Sequence, residues 1–224
     1  MLAKADLKLV SEGMPFWQQL TPQEQQLLKE RMLKIVYPAG MALHENGQEC
    51  TGLVQVFSGR LRAYMLSETG KEITLYRLFE GDICVLSASC VLRDITFDFH
   101  IEAEVESEVF VIPPSLFYRL SESSLAVSNY TSRLISARLS DVMWVMEQVV
   151  FMSFDRRLAL FLLEQASIEG APTLTLTHEI IAKHLGSARE VVTRMLKYFQ
   201  QEGLVSLARG TVTITNAKGL RRLT

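Results

Sequence analysis

The sequence predicts an α+β chain in three parts: an N-terminal roll of short antiparallel strands, one long helix, and a C-terminal group of helices closed by a hairpin. Three observations carry that reading. Gly47, Gly59, Gly70 and Gly81 recur 11 or 12 residues apart, with short apolar runs between them. No glycine then occurs for 88 residues, until Gly170. Charge is also divided: residues 1–153 hold 13 Lys/Arg against 19 Asp/Glu, a balance of −6, whereas residues 154–224 hold 10 against 6, a balance of +4.

Taken in chain order, Thr21-Pro22-Gln23-Glu24 comes first. It joins a capping box to a proline at the first helical position, so a helix precedes the roll. Evenly spaced turn signals predict short strands in a sandwich or roll. Leu53-Val54-Gln55-Val56-Phe57 and Ile73-Thr74-Leu75-Tyr76 read as two of them. Ile101-Glu102-Ala103-Glu104-Val105-Glu106 alternates between an apolar and an acidic face. Residues 1–120 are therefore assigned to the roll and its leading helix.

From Ser121 to Met152 the apolar residues Val127, Tyr130, Leu134, Ala137, Val142, Val145, Val149 and Met152 advance in steps of three to five, the mark of one long helix. Ile135, Leu139, Met143, Trp144 and Met146 lie off that seam. A helix apolar on two sides must be covered on two sides; the roll would cover one and a second copy of the chain the other, as a two-fold coiled coil. Residues 121–152 thus read as a dimerisation helix.

Residues 153–224 carry the most informative segment. A helix over Arg157–Ala166 is followed by the chain break at Pro172 and two further helices. The first of these, opened by Thr177, runs to Leu185 and stops at Gly186; Ser187 opens the second, with Glu190 completing a capping box. Val192, Met195, Leu196 and Phe199 fall on one face and point to a core, while Arg189, Glu190, Thr193, Arg194 and Lys197 fall opposite. Two short helices joined at a glycine, the second with a basic outer face, describe a helix-turn-helix. Leu204–Ile214 reads as a hairpin turning at Arg209-Gly210, the wing of a winged helix.

The side chains suggest the chemistry. Arg189 and Arg194 offer forked donors to guanine, and Glu190 accepts from the cytosine amine. The Thr193 hydroxyl can bond a base edge, or its methyl can touch that of thymine. Thr177, Ser187, Lys197 and Arg209 are suited to phosphates of double-stranded DNA.

Composition excludes other classes. The chain has 224 residues, of which 48% are hydrophobic, enough for a substantial core. No run approaches the ~18 uncharged apolar residues of a spanning helix, so no membrane partner is expected. Met1 to Met14 carries Lys4, Asp6, Lys8 and Glu12 and lacks the apolar stretch of a signal peptide. Three cysteines, Cys50, Cys84 and Cys90, are too few for a disulfide framework and fit a reducing interior. A cytoplasmic protein is expected.

A glycine-turned roll, a long helix and a C-terminal Ser-Ala-Arg-Glu-Val-Val-Thr-Arg-Met-Leu helix together resemble the Crp–Fnr family of bacterial transcription regulators. The resemblance extends from about Phe16 to Ile214. It implies a jelly-roll (double-stranded β-helix) sensor domain of the cyclic-nucleotide-binding type, a homodimer on a palindromic operator, and RNA polymerase as a partner. The family's base-reading Arg-Glu-x-x-x-Arg pattern falls on Arg189, Glu190 and Arg194, and Thr193 stands where one branch has serine.

The departures concern the signal. Members that bind cyclic nucleotides carry Gly-Glu-Leu and then Arg-Ser/Thr-Ala. Gly81-Asp82-Ile83-Cys84-Val85-Leu86-Ser87 has no Glu-Leu, and Phe97-Asp98-Phe99-His100-Ile101 has no arginine. Asp94, Asp98 and Glu102 would repel a phosphate unless paired, so cyclic AMP is not expected. The iron–sulfur branch needs clustered N-terminal cysteines, and residues 1–49 contain none. No cofactor and no metal site is expected. Cys84, Ser87, Ser89, Cys90, Asp98 and His100 remain as candidates for an effector pocket, with Cys84 and Cys90 a thiol switch or simply packed core. Two rivals stand beside a signal-controlled regulator. One is a constitutive DNA-binding protein with a degenerate pocket; the other is a cupin-type metalloenzyme, for which His44 and His100 are too isolated.

Overall fold

The computed structural model describes residues 4–44, 50–88 and 98–224. Gly47, Ser89, Cys90, Asp94 and Phe97 lie outside the described residues. The chain divides into two compact units, residues 1–65 with 75–142, and residues 66–74 with 143–224.

The first unit opens with α1 (Lys4–Gly13), which the sequence reading did not anticipate, and α2 (Pro22–Arg31). α2 starts as expected: Thr21 Oγ1 accepts from the Glu24 amide, and the Glu24 carboxylate accepts from the Thr21 amide at 2.8 Å. Eight strands follow, with Leu66 of β4 and Glu72 to Thr74 of β5 counted in the second unit: β1 (Leu33–Tyr37), β2 (Ala42–His44), β3 (Leu53–Ser58), β4 (Leu61–Leu66), β5 (Glu72–Leu78), β6 (Ile83–Cys84), β7 (His100–Ala103) and β8 (Ser107–Ile112). They form two four-stranded sheets in the orders β1-β8-β3-β6 and β2-β7-β4-β5. Gly59, Gly70 and Gly81 turn the chain between successive strands with positive φ.

Two cores explain why β3 and β8 are apolar almost throughout. Val54, Val56, Val109 and Val111 enter a core shared with β4, β5 and β7. Leu53, Phe110 and Ile112 enter another, shared with the flanking helices. A strand covered on both faces loses the alternation that marks a half-exposed one. The alternating segment 101–106 overruns its strand, which ends at Ala103. Its acidic face is partly paired: Glu102 meets Arg62 at 2.9 Å, and Glu104 is shared by Arg77, at 2.9 Å, and Arg60.

The helix expected from Ser121 begins later. α3 (Pro114–Ser123) is separate, Ser124 is extended, and the long helix α4 runs over Leu125–Phe151. Serines 121, 123 and 124 compete for nearby backbone groups and favour such a break; the Ser121 hydroxyl donates to the Tyr118 carbonyl. The first turns of α4 pack Val127, Tyr130 and Leu134 on the helix-side core, and Val142 meets the inter-sheet core.

The second unit contains α5 (Phe154–Glu169), β9 (Thr173–Leu174), α6 (His178–His184), α7 (Arg189–Gln201), β10 (Val205–Ala208), β11 (Thr211–Ile214) and α8 (Ala217–Arg221). β9 and α8 were not anticipated. The strands form one sheet in the order β10-β11-β9. Leu158, Phe161, Ile181, Val192, Leu196, Phe199, Val212 and Leu220 meet in its core. No helix among the described residues is long and apolar enough to cross a membrane.

Candidate nucleic-acid interface

α6 begins at Thr177, whose Oγ1 accepts from the Ile180 amide at 3.2 Å. It ends in a left-handed turn at Gly186, φ +62°, a conformation costly for any residue with a Cβ. The Ser187 amide donates back to the Ala182 carbonyl at 3.0 Å, which completes a Schellman-type stop. Arg157 of α5 donates to the Leu185 carbonyl and ties the same turn to the preceding helix.

That stop corrects one expectation. Ser187 belongs to the end of α6 and does not cap α7; the cap residue is Ala188, which makes no side-chain cap bond. The Ser187–Glu190 capping box is therefore absent, and Glu190 is exposed with no hydrogen bond or ion pair to another described residue.

α7 is sharply divided. Val192, Leu196 and Phe199 are fully buried, with Met195 packed beside them. Arg189, Glu190, Arg194 and Lys197 are exposed, and none has an intramolecular partner among the described residues. Thr193 differs from them. Its hydroxyl donates to the Arg189 carbonyl at 2.8 Å and lies 2.9 Å from Nδ1 of His178, the first residue of α6. Burial, and then the charges of Arg189 and Lys197, hold His178 below its ordinary pKa. Beyond α7, β10 and β11 pair in register from Val205↔Ile214 to Ala208↔Thr211, with Arg209 exposed at the turn. Lys183, the other cation of this region, is drawn to Glu72 at 2.9 Å within the same unit.

Comparison with known proteins matches this geometry. Residues 156–223 fit the model of the Crp-like helix-turn-helix domain, and residues 34–124 that of the cyclic nucleotide-binding domain. A structure assigned to the Crp/Fnr family, from Eubacterium rectale, is 48% identical, with a TM-score of 0.93 over 95% of this chain and 98% of that one. The chain belongs to the Crp/Fnr family of transcription regulators. More distant Crp/Fnr relatives include the cyclic AMP receptor protein of Thermus thermophilus, 24% identical over 95% of this chain and 97% of that protein. The anaerobic regulatory protein of Aggregatibacter actinomycetemcomitans is 29% identical over 81% and 72% respectively. The chain is thus a Crp/Fnr-type DNA-binding regulator with an effector-domain roll and a helix-turn-helix.

In the Crp/Fnr roll the candidate effector residues separate. Cys84 and Ser87 are buried, and the Ser87 hydroxyl donates to the Cys84 carbonyl at 2.7 Å. Asp98 is exposed, and His100, on the other sheet, stacks on Tyr64 with centroids 5.1 Å apart. Cys84 is a free thiol, and burial pushes its pKa up; the Cys84–Cys90 switch also needs Cys90, which lies outside the described residues. Cys50 is disulfide-bonded, contrary to the expectation of reduced cysteines throughout. Cys84 faces inward from β6, which places it in the inter-sheet core.

A polar group that the sequence did not reveal lies beside it. The Arg138 guanidinium of α4 sits over the Tyr76 ring and pairs with Asp141 at 2.8 Å. Among the described residues, the Tyr76 hydroxyl and Arg138 Nε are buried with no well-formed hydrogen bond. Only a long-range contact between β5 and α4 creates this group; neither residue stands out in its own segment.

Proposed function

We propose that the protein acts as a homodimer on a palindromic operator, with α7 of each subunit in the major groove and base reading by Arg189, Glu190, Thr193 and Arg194. One observation carries this reading. The exposed charges of α7 have no partner within the described chain, while the opposite face of the helix is fully buried. Unpaired forked donors on a rigid helix suit the O6 and N7 of guanine. Glu190, free of any capping role, suits the cytosine amine. Thr177 accepts from the backbone and keeps its own proton, which suits a phosphate; Ser187, Lys197 and Arg209 suit the same role.

Dimerisation is supported by α4, where Ile135, Leu139, Met143, Met146 and Val150 stay exposed at helical spacing. A second copy of α4 would bury them as a coiled coil. The roll would receive a small-molecule or redox signal other than cyclic AMP, and RNA polymerase would be the downstream partner in the cytoplasm. The inward packing of Cys84 and Ser87 favours a second reading, a constitutive regulator with a degenerate pocket. We assign no catalytic role.

The test begins with selection of operators from random duplexes by the full-length protein. Arg194→Ala is expected to lose site preference in a gel-shift assay and to keep weak, salt-sensitive binding. Unchanged selectivity rejects the base-reading role. Leu139→Glu is expected to turn a dimer into a monomer by light scattering.

A further inference from the structure

Thr193 sits among the outward side chains of α7, half-buried between exposed neighbours. A threonine hydroxyl has one proton and two lone pairs. Here the proton goes to the Arg189 carbonyl, 2.8 Å away. The same oxygen lies 2.9 Å from His178 Nδ1. An oxygen whose proton is already engaged can only accept, so the hydrogen of this second bond belongs to Nδ1. The bond links the first turn of α6 to the middle of the outer face of α7.

We propose that His178 is a positioning residue for DNA recognition: by holding the Thr193 hydroxyl it leaves the Thr193 methyl to face the groove, and this position selects thymine through the 5-methyl group. The inference rests on reading α7 as the base-contacting helix and settles which end of Thr193 does the reading. With its proton engaged, the hydroxyl cannot donate to guanine O6 or N7, adenine N7 or thymine O4, all of which are acceptors. One lone pair and an apolar methyl remain. The thymine methyl is the apolar feature of the major groove, and methyl-to-methyl contact is a recognised way of reading it. Partial burial, and then the flanking charges of Arg189 and Lys197, favour the neutral ring that this arrangement uses.

The experiment uses the full-length protein and its selected operator, remade with uracil replacing each thymine in turn. Uracil lacks only the methyl. At one thymine the wild type is expected to weaken about three- to fivefold, the worth of one buried methyl. Thr193→Val, which keeps the methyl, should retain that dependence; Thr193→Ser, which keeps the hydroxyl, should lose it. His178→Ala should reduce the dependence below about twofold. His178→Asn, whose amide nitrogen can donate from the place of Nδ1, should restore it. A wild type indifferent to uracil throughout, or a Thr193→Ser protein that keeps the dependence, overturns methyl reading. A His178→Ala protein that behaves as wild type overturns the positioning role. A wild type that enriches no sequence removes the base-reading assignment of α7 itself, a different result from an operator selected without methyl dependence.

Discussion

Arg138 lies over the face of Tyr76, the guanidinium carbon 4.7 Å from the ring centroid, so a helix cation is held against the inside of a strand residue. The contact is favourable through the ring quadrupole, yet among the described residues the Tyr76 hydroxyl is buried with no well-formed hydrogen bond, the Cys84 thiol lying close by. Tyr76→Phe keeps the ring under Arg138 and deletes the stranded oxygen. We expect the substitution to raise stability by about 1 kcal/mol, measured by urea unfolding. A loss of similar size would mean that the hydroxyl has a native partner.

Burial raises the pKa of both Cys84 and Tyr76; the Cys84 thiol raises Tyr76 further, while Tyr76 draws Cys84 slightly back. On raising the pH the unfolded chain therefore ionises first. Stability holds below the unfolded-state thiol value of about 8.5 and declines above it. Cys84→Ala should remove the earlier part of that decline. The readout is the slope of unfolding free energy against pH, which separates this effect from the cavity the substitution leaves.

Glu190 makes no cap bond at the start of α7 and meets only the dipole of its first turn. Glu190→Ala is expected to change stability by no more than about 0.5 kcal/mol, as for an unconstrained surface position. The same variant should alter base preference at one operator position. A fall in melting temperature of several degrees would show that the carboxylate supports the helix after all.

The capping box of α2 makes the opposite case. Thr21→Ala should cost about 1 kcal/mol. The backbone bond from Thr21 holds Glu24 below its ordinary pKa. Its contribution is present above the unfolded value of about 4.3 and is lost as pH falls through the lower folded value. Acid titration of unfolding should show that loss in the wild type and most of it still in Thr21→Ala, which keeps the backbone donor, whereas Glu24→Gln should remove it.

His178 should titrate below 6.5 in a proton NMR experiment, with Nδ1 protonated in the neutral form. Burial is the larger cause, so Lys197→Gln should return the midpoint only part of the way. Because the unfolded chain binds the proton first, stability should fall as pH drops below about 6.5. His178→Asn should flatten that fall.

The features legible in the sequence share one property: each is written in local spacing. The buried row Val192, Leu196 and Phe199 and the turn at Gly186 marked α7 as the second helix of the helix-turn-helix. The glycine turns fixed the roll. The capping box read at Thr21 formed, whereas the similar Ser187–Glu190 pattern did not, because Ser187 was already engaged in ending α6. Motif spacing alone could not separate the two. β9 is two residues long and exists only through its pairing with β11, so no pattern announces it. The His178–Thr193 bond and the Tyr76–Arg138 stack are tertiary. The first joins residues 15 positions apart across a turn, with no local spacing to announce it.

The Schellman stop at Gly186 and Ser187 has a further consequence. Because it ends one helix without borrowing any side chain from the next, Arg189, Glu190, Arg194 and Lys197 can be exchanged for other residues with little expected penalty to folding. On the proposed base reading, operator preference then becomes a separable property of the chain, open to rewriting by substitution at Arg189, Glu190 and Arg194 while the roll and the long helix keep their own roles.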